Sequence, residues 1–530
     1  MRVDRHSVPA ETLASALAAV PDRLSRDTKL AENGAAFSIE LLADMLLDYA
    51  AARTVDIDPR VETRETWLAL TSAASLYRDY VHAQTVPPGG EVRAFVDYLG
   101  VGFGFTQELD ETLTTRDWLH AYTIAVALGD QEILSDLHEL IPALPAADDL
   151  GGYRAYWARH HDRARPDAPD YPDTLHGRML RAITDADADA FNTALAAALH
   201  RHRDRAGHHP SDLIAWGPAA AASLAHHHGI PVRVQSDYLP ERLITRAGPK
   251  KPGTGGPIAR PDFDTDRATE WLQWHDDHLD VDGRVERAFN PQIKDRFSVM
   301  AHLGREMTMA LPFRSVIDPR AETPAYTDAL DLASESLAAA FRLASVPHGT
   351  PITVTLQGRT GELPASGRHR DASDWKYAHA VALAWISRRL TDQKILAAFD
   401  PADLRVTLPD TNAYAHACNA VLRGTDPRPH LRKALAKTSG DDHWECLRNP
   451  RARLLERIID GDADGFNTVL AEALGLYHDY YTSGDRTGDP GGQLSFDALG
   501  LACLAHDRGI PVRVESDYLP RTVIEELAQH

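Results

Sequence analysis

The sequence predicts a mainly α-helical protein, made of two tandem homologous helical domains with a few short β-strands. Three observations lead there. At 530 residues the chain is longer than one hydrophobic core ordinarily organises. It repeats itself: Gly229-Ile-Pro-Val-Arg-Val-Gln-Ser-Asp-Tyr-Leu-Pro240 returns as Gly509-Ile-Pro-Val-Arg-Val-Glu-Ser-Asp-Tyr-Leu-Pro520, with only Gln235 against Glu515 changed. Its apolar residues also recur every four positions, as in Phe191, Leu195 and Leu199, matched by Phe466, Leu470 and Leu474, which is the period of one helix face.

Further landmarks recur in the same order. Phe37-Ser-Ile pairs with Phe297-Ser-Val, and Ile57-Asp-Pro-Arg-Val-Glu-Thr63 with Ile317-Asp-Pro-Arg-Ala-Glu-Thr323, both 260 residues on. Asp117-Trp118 pairs with Asp374-Trp375 at 257, Asp130-Gln-Glu-Ile-Leu134 with Asp392-Gln-Lys-Ile-Leu396 at 262, and Phe191-Asn-Thr193 with Phe466-Asn-Thr468 at 275. Each copy is long enough for its own core, so the arrangement is a tandem of domains rather than a solenoid.

Taken in chain order, Ser7, Pro9 and Glu11 read as a helix entry with an acidic first turn. Gly100, Gly102 and Gly104 do not have the spacing of a dinucleotide fingerprint, no clear strand precedes them, and they read as a flexible turn. Trp118, Tyr122, Ala125 and Val126 share one helical face. The Phe191 helix follows Asp185, Asp187 and Asp189, and the Phe466 helix follows Asp460, Asp462 and Asp464. Carboxylates there accept the free N–H groups of a first turn and complement the helix dipole, whereas a calcium loop would also require a glycine and a terminal Glu at set positions.

Ala219 to His226 and Leu499 to His506 are alanine-rich helices suited to close packing. Pro231 to Val234 and Pro511 to Val514 alternate apolar and polar residues, and Thr350 to Leu356 is rich in branched residues, so these are the short strands. Arg246 to Pro261 holds too much Gly and Pro for regular structure and falls at the copy boundary. The expected division is a first domain over 1–245, a linker over 246–261 and a second domain over 262–530.

Composition narrows the function. With 56 basic and 77 acidic residues the formal net charge is -21, which argues against general nucleic-acid binding and for a basic protein partner. The three cysteines, Cys418, Cys446 and Cys503, form no CxxC pair, so neither a disulfide framework nor a cysteine-rich zinc site is expected, in keeping with a reducing cytoplasm. The apolar stretch Leu13 to Val20 is bracketed by Glu11 and Asp22 and does not read as a signal peptide, and runs such as Ala121 to Gly129 fall far short of the roughly 20 residues a membrane span needs.

No Walker-type loop, GxSxG elbow or HExxH occurs, so no catalytic, cofactor-binding or metal-binding residue is assigned. Of the histidine cluster His226-His227-His228 only His226 has a counterpart, His506, while His275-Asp-Asp-His278 has no evident further ligand. These read as solvated or helix-end histidines.

Two sets of residues are candidates for partner binding. Arg233, Asp237 and Tyr238 recur as Arg513, Asp517 and Tyr518, and Tyr and Arg are favoured at binding hot spots. The alternative is a strand with its polar side outward, followed by a helix capped by Ser236 or Asp237 with Pro240 in its first turn. The second set, Glu108, Asp110 and Glu111, belongs to the stretch Val101 to Leu150, which has ten acidic residues and only Arg116 as a base. Such a block speeds encounter with a basic protein and repels DNA, although ordinary surface helices also present acidic faces.

Asp462-Ala-Asp-Gly-Phe-Asn-Thr-Val-Leu-Ala-Glu-Ala-Leu474, Tyr477-His-Asp-Tyr-Tyr481 and the stretch Leu499 to Pro520 resemble the C-terminal signature of the immunity protein 49 family, and the Asp374-Trp375 helix with Ala380-Val-Ala-Leu383 resembles its central element. The resemblance covers nearly all of the second copy and, more loosely, the first, which departs around Arg201 to His209 and lacks the stretch Arg405 to Cys418. It implies a mostly helical, cytoplasmic, non-catalytic protein of a bacterial polymorphic toxin system that binds and neutralises a toxin encoded nearby. A metal-dependent hydrolase with an unrecognised His and carboxylate site, or a general helical scaffold, are the other readings.

Overall fold

Thr63, Thr114, Asp130, Thr174 and Asp187 each precede a helical run, and each turns its side-chain oxygen onto a free N–H of the first turn. Five helices of the first half of the chain are started in this way. In the computed structural model the described residues are 1–31, 36–107, 113–141, 144, 148–160, 170–253, 255–290, 292–437 and 441–526. They fall into two units, Met1–Lys250 with Ser483–Asp485, and Lys251–Thr482 with Arg486–His530.

The first unit runs α1 (Ala10–Ala31), α2 (Phe37–Asp56), α3 (Arg64–Ala83), a hairpin of β1 (Glu91–Val96) and β2 (Val101–Thr106), then α4 (Thr115–Leu128), α5 (Gln131–Glu139), α6 (Asp148–His160), α7 (Leu175–Thr184), α8 (Ala188–Arg205), α9 (Trp216–His227) and α10 (Glu241–Thr245). The expected α4 face is buried, with Trp118 stacked on Tyr122 at 4.5 Å between ring centres. The second unit runs α11 (Thr265–His278), α12 (Val281–Phe289), α13 (Arg296–Ile317), α14 (Pro324–Ala344), β3 (Pro351–Leu356), β4 (Arg359–Pro364), α15 (Asp374–Ile386), α16 (Leu390–Ala398), α17 (Pro409–Arg423), α18 (Arg428–Ala434), α19 (Asn449–Asp460), α20 (Ala463–Tyr481) and α21 (Phe496–Asp507). Phe341, Tyr377 and Phe399 meet in its core, with Phe341 5.2 Å from each of the other two rings. The protein is mainly α, and both sheets are two-stranded antiparallel hairpins.

Three local expectations change. Gly102 and Gly104 are not a flexible turn but lie in β2, opposite Phe95 and Arg93. A Cβ on Gly104 would come within 3.1 Å of the Val92 carbonyl oxygen, so the close approach of the hairpin partner accounts for that glycine. Pro231 to Val234 and Pro511 to Val514 are extended but join no sheet, and the residues after them make single parallel bridges, Arg2 with Gln235 and Ile258 with Ser516. The helix after the first of these segments is α10, which begins at Glu241 with Pro240 as its N-cap, while Ser236 accepts instead from the Tyr238 N–H at 3.3 Å.

The described residues of 246–261 carry no helix or strand, yet they are bonded within the units. Arg246 donates to the Ser223 hydroxyl at 2.7 Å and to the Val126 carbonyl at 3.0 Å in the first unit. In the second, the Ile258 N–H donates to the Glu515 carbonyl and the Arg260 side chain to the Asp517 carbonyl, both through backbone oxygens.

Repeated hydrogen bonds give the correspondence between copies. Asp58 accepts from the Glu62 and Thr63 N–H groups and the Thr63 hydroxyl, and Asp318 does the same with Glu322 and Thr323. These bonds hold Val61 and Ala321 at φ 58° and 55°, which makes the shared Ile-Asp-Pro-Arg segment a structural turn. Three of the other matches slip, while the Phe-Asn-Thr pair stays in register, Asn192 and Asn467 making the same bonds. The buried positions Ala36, Ile39, Leu42 and Leu46 align with Phe297, Met300, Leu303 and Met307, and Arg5 bonds the Thr54 carbonyl as Arg260 bonds that of Ser315, so α2 and α13 correspond at 261 and Phe37 answers to Ser298. That is why Phe37 is 59% exposed while Phe297 is fully buried. On α4 and α15 the offset is 259: the Trp118 indole donates to the Leu137 carbonyl as the Tyr377 hydroxyl donates to that of Leu396. Trp375 therefore answers to Arg116 rather than Trp118, and the helix starts place Arg389 rather than Asp392 opposite Asp130.

Candidate functional site

The repeated Phe-Asn-Thr and Val-Arg-Val segments meet in each unit. Asn467 on α20 donates to the Ala463 and Pro511 carbonyls at 2.8 and 2.9 Å and accepts from the Arg513 N–H at 2.7 Å. Asn192 on α8 repeats all three bonds with Ala188, Pro231 and Arg233. The asparagine thus ties an extended segment to a helix. Arg233 pairs with Asp189 at 2.6 Å and Arg513 pairs with Asp464, so both guanidinium groups lie across the start of the helix. Arg513, Asp464, Asn467 and Thr468 line a polar cavity of about 460 Å³ in the second unit.

The remaining members of the two trios separate. Tyr238 and Tyr518 are fully buried, and no part of either ring reaches the surface. Hydrophobic burial explains why both copies keep a tyrosine there. The Tyr238 hydroxyl accepts from the His6 N–H at 2.9 Å, whereas that of Tyr518 meets no hydrogen-bond partner among the described residues. Asp237 is exposed and lies 3.5 Å from Arg2, and Asp517 lies 3.4 Å from the Arg260 N–H. Glu108, Asp110 and Glu111 lie outside the described residues. Elsewhere in that acidic stretch, Asp130 caps α5, Asp117 accepts from the Thr114 hydroxyl at 2.7 Å in the first turn of α4, and Asp136 faces Arg78 at 3.7 Å. Helix capping therefore accounts for part of the acidity. Among the described residues no group of three or more His, Cys, Asp or Glu is placed to hold a metal, and no helix is long and apolar enough to cross a membrane.

A groove that linear reading missed lies in the second unit, where α13, α14 and α15 enclose about 570 Å³. Its floor is Phe297 and Leu337. Met309 and Trp375 line it while remaining 43% and 47% exposed, unusual for side chains of that size. Arg305 and Lys376 supply cationic groups, and neither enters an ion pair with a described residue; the Lys376 ammonium sits 5.6 Å from the Trp375 ring centre. The other polar members are engaged, His302 with Glu306 at 3.1 Å and Asp371 with the Ser298 hydroxyl at 3.5 Å. Burial lowers the pKa of His379, whose ring meets Phe496 edge-on.

The corresponding face of the first unit is mainly acidic, although Arg116 stands in the place of Trp375 and acts on Glu40 and His120. At the offsets established above, Asp44 answers to Arg305, Asp117 to Lys376, Glu40 to Ala301 and Asp48 to Met309. Tyr77, in the place of Leu337, donates to Asp44, and Asp48 accepts from the Ser211 N–H at 2.8 Å. Burial raises the carboxyl pKa of Glu40, Asp44 and Asp48. His120 keeps the position of His379 and is pushed down to about 4 by burial, its ring 4.7 Å from that of Tyr77. Trp375, an aromatic residue off the buried face of its helix, is the sequence feature that points to this surface; its walls form only where three successive helices pack.

The model of a family described as immunity protein 49 matches residues 170–243 and 318–523, more than half of the chain and parts of both copies. No curated protein and no solved structure matches it.

Proposed function

From the premise that the chain belongs to the immunity protein 49 family, we propose that it is an immunity protein which binds and neutralises a cognate bacterial toxin in the cytoplasm. The match in both copies carries this reading. Neutralisation proceeds by binding and requires neither catalysis nor a cofactor. The protein consists of two immunity-49-like domains, residues 1–245 and 262–530, joined through 246–261. The contact falls on the α13–α15 groove of the second, because exposed aromatic and thioether side chains beside arginine are the usual material of a binding hot spot.

The test is co-expression with the toxin reading frame adjacent to this gene. Cells expressing both should survive where the toxin alone kills, and the two proteins should co-purify. Loss of viability in the presence of the protein, with no complex recovered, refutes the function.

A further inference from the structure

The change of charge between equivalent faces bears on what the groove accepts. A chain with 77 acidic and 56 basic residues has carboxylates to spare, yet Arg305 and Lys376 stand beside an apolar cavity without an ion-pair partner among the described residues. Their counterparts Asp44 and Asp117 are carboxylates, so the second copy presents cations where the first presents anions. The cavity that both cations line has room for an apolar side chain, over the floor of Phe297 and Leu337 and beside Trp375 and Met309.

We infer that the groove of the second unit takes a segment of the toxin presenting an apolar side chain flanked by carboxylates, and that the first unit's equivalent face rejects the same segment. This rests on reading the protein as a toxin binder. The apolar side chain supplies burial, while the flanking carboxylates meet Arg305 and Lys376 in surroundings that its seating has partly dried, where charge pairs act more strongly than in open water. Asp44, Asp117 and Glu40 outnumber Arg116 on the first unit's face, and Arg116 replaces the aromatic Trp375, so that face is a poor site for the segment and the charge pattern selects between two otherwise related faces.

The experiment measures binding of the full-length chain to the purified product of the adjacent toxin reading frame, inactivated by mutation, using interferometry at several salt concentrations. Arg305→Glu with Lys376→Glu should weaken binding by about 100-fold and reverse its salt dependence; Arg305→Gln with Lys376→Gln should give a smaller loss of about 10-fold. Trp375→Ala should also weaken binding about 10-fold or more. Asp44→Arg with Asp117→Lys in the first unit should leave the affinity within about twofold. Circular dichroism of each variant separates lost contact from lost fold.

Wild-type binding that survives both double substitutions at Arg305 and Lys376 overturns the inference while the function stands. A loss confined to the first-unit variant overturns it equally. Absence of any wild-type complex refutes the function beneath it. If sedimentation shows the chain self-associating, and the charge-reversed variant does not, the groove belongs to a second copy and the assignment to a toxin segment falls.

Discussion

Replacing Asn467 by alanine tests whether the repeated Phe-Asn-Thr motif maintains the fold. Its side chain is 9% exposed, and it is the partner of the Arg513 N–H and the Pro511 carbonyl; the third bond, to Ala463, duplicates an oxygen already engaged in the helix. Alanine leaves two partly buried backbone groups without their bonds, at about 1–1.5 kcal/mol each, and recovers about 0.5 kcal/mol of helix propensity, a net loss near 2 kcal/mol. With an m-value of about 3 kcal/mol/M, the urea midpoint of the second unit falls by about 0.7 M. Thr468→Ala serves as the comparison: its exposed hydroxyl bonds only the Asp464 carbonyl one turn earlier, and the loss should stay below about 0.5 kcal/mol. Urea titrations followed by circular dichroism decide the matter. An unchanged midpoint for Asn467→Ala, or an equal loss from Thr468→Ala, refutes the tether.

Two further outcomes follow from groups the copies treat differently. Tyr238→Phe should destabilise by about 1 kcal/mol because the hydroxyl is paired with His6, whereas Tyr518→Phe should stay within about 0.5 kcal/mol of wild type, both read by urea denaturation. For His120 the folded pKa near 4 lies below the unfolded value near 6.5, so the unfolded chain binds the proton more readily. Its contribution to stability is intact above about pH 6.5 and is lost as pH falls toward 4. His120→Gln should therefore flatten the pH dependence of unfolding in that window, as measured by midpoints between pH 7 and pH 4.5.

Much of the architecture was legible in the sequence because its causes are local. Aspartates before the Phe191 and Phe466 helices announced caps, and Asp187 and Asp462 bond the first-turn N–H groups of α8 and α20. The β3 strand and the buried α4 face follow from β-branched content and helical period. At β2 the strand signal was present but overruled: Phe103 and Phe105 alternate with Gly102 and Gly104 and are buried, while the glycines, poor strand formers, read as a turn. Correspondence between copies was legible only where side chains make the same bonds: the Asp58 and Asp318 turns agree, while pairs matched by letter alone, such as Asp117-Trp118 with Asp374-Trp375, fall on different faces.

The sequence by itself determined the helical class, the duplication and the family, because period, capping chemistry and repeated segments are properties of neighbouring residues. Tertiary structure decided which repeated residues are available to a partner. Tyr238 and Tyr518 are taken into the cores, Arg233 and Arg513 are paired across helix starts yet stay exposed, and the groove of Phe297, Met309, Leu337 and Trp375 exists only where α13, α14 and α15 pack. Burial and charge pairing depend on side chains that different helices and segments bring together, and no local spacing records them.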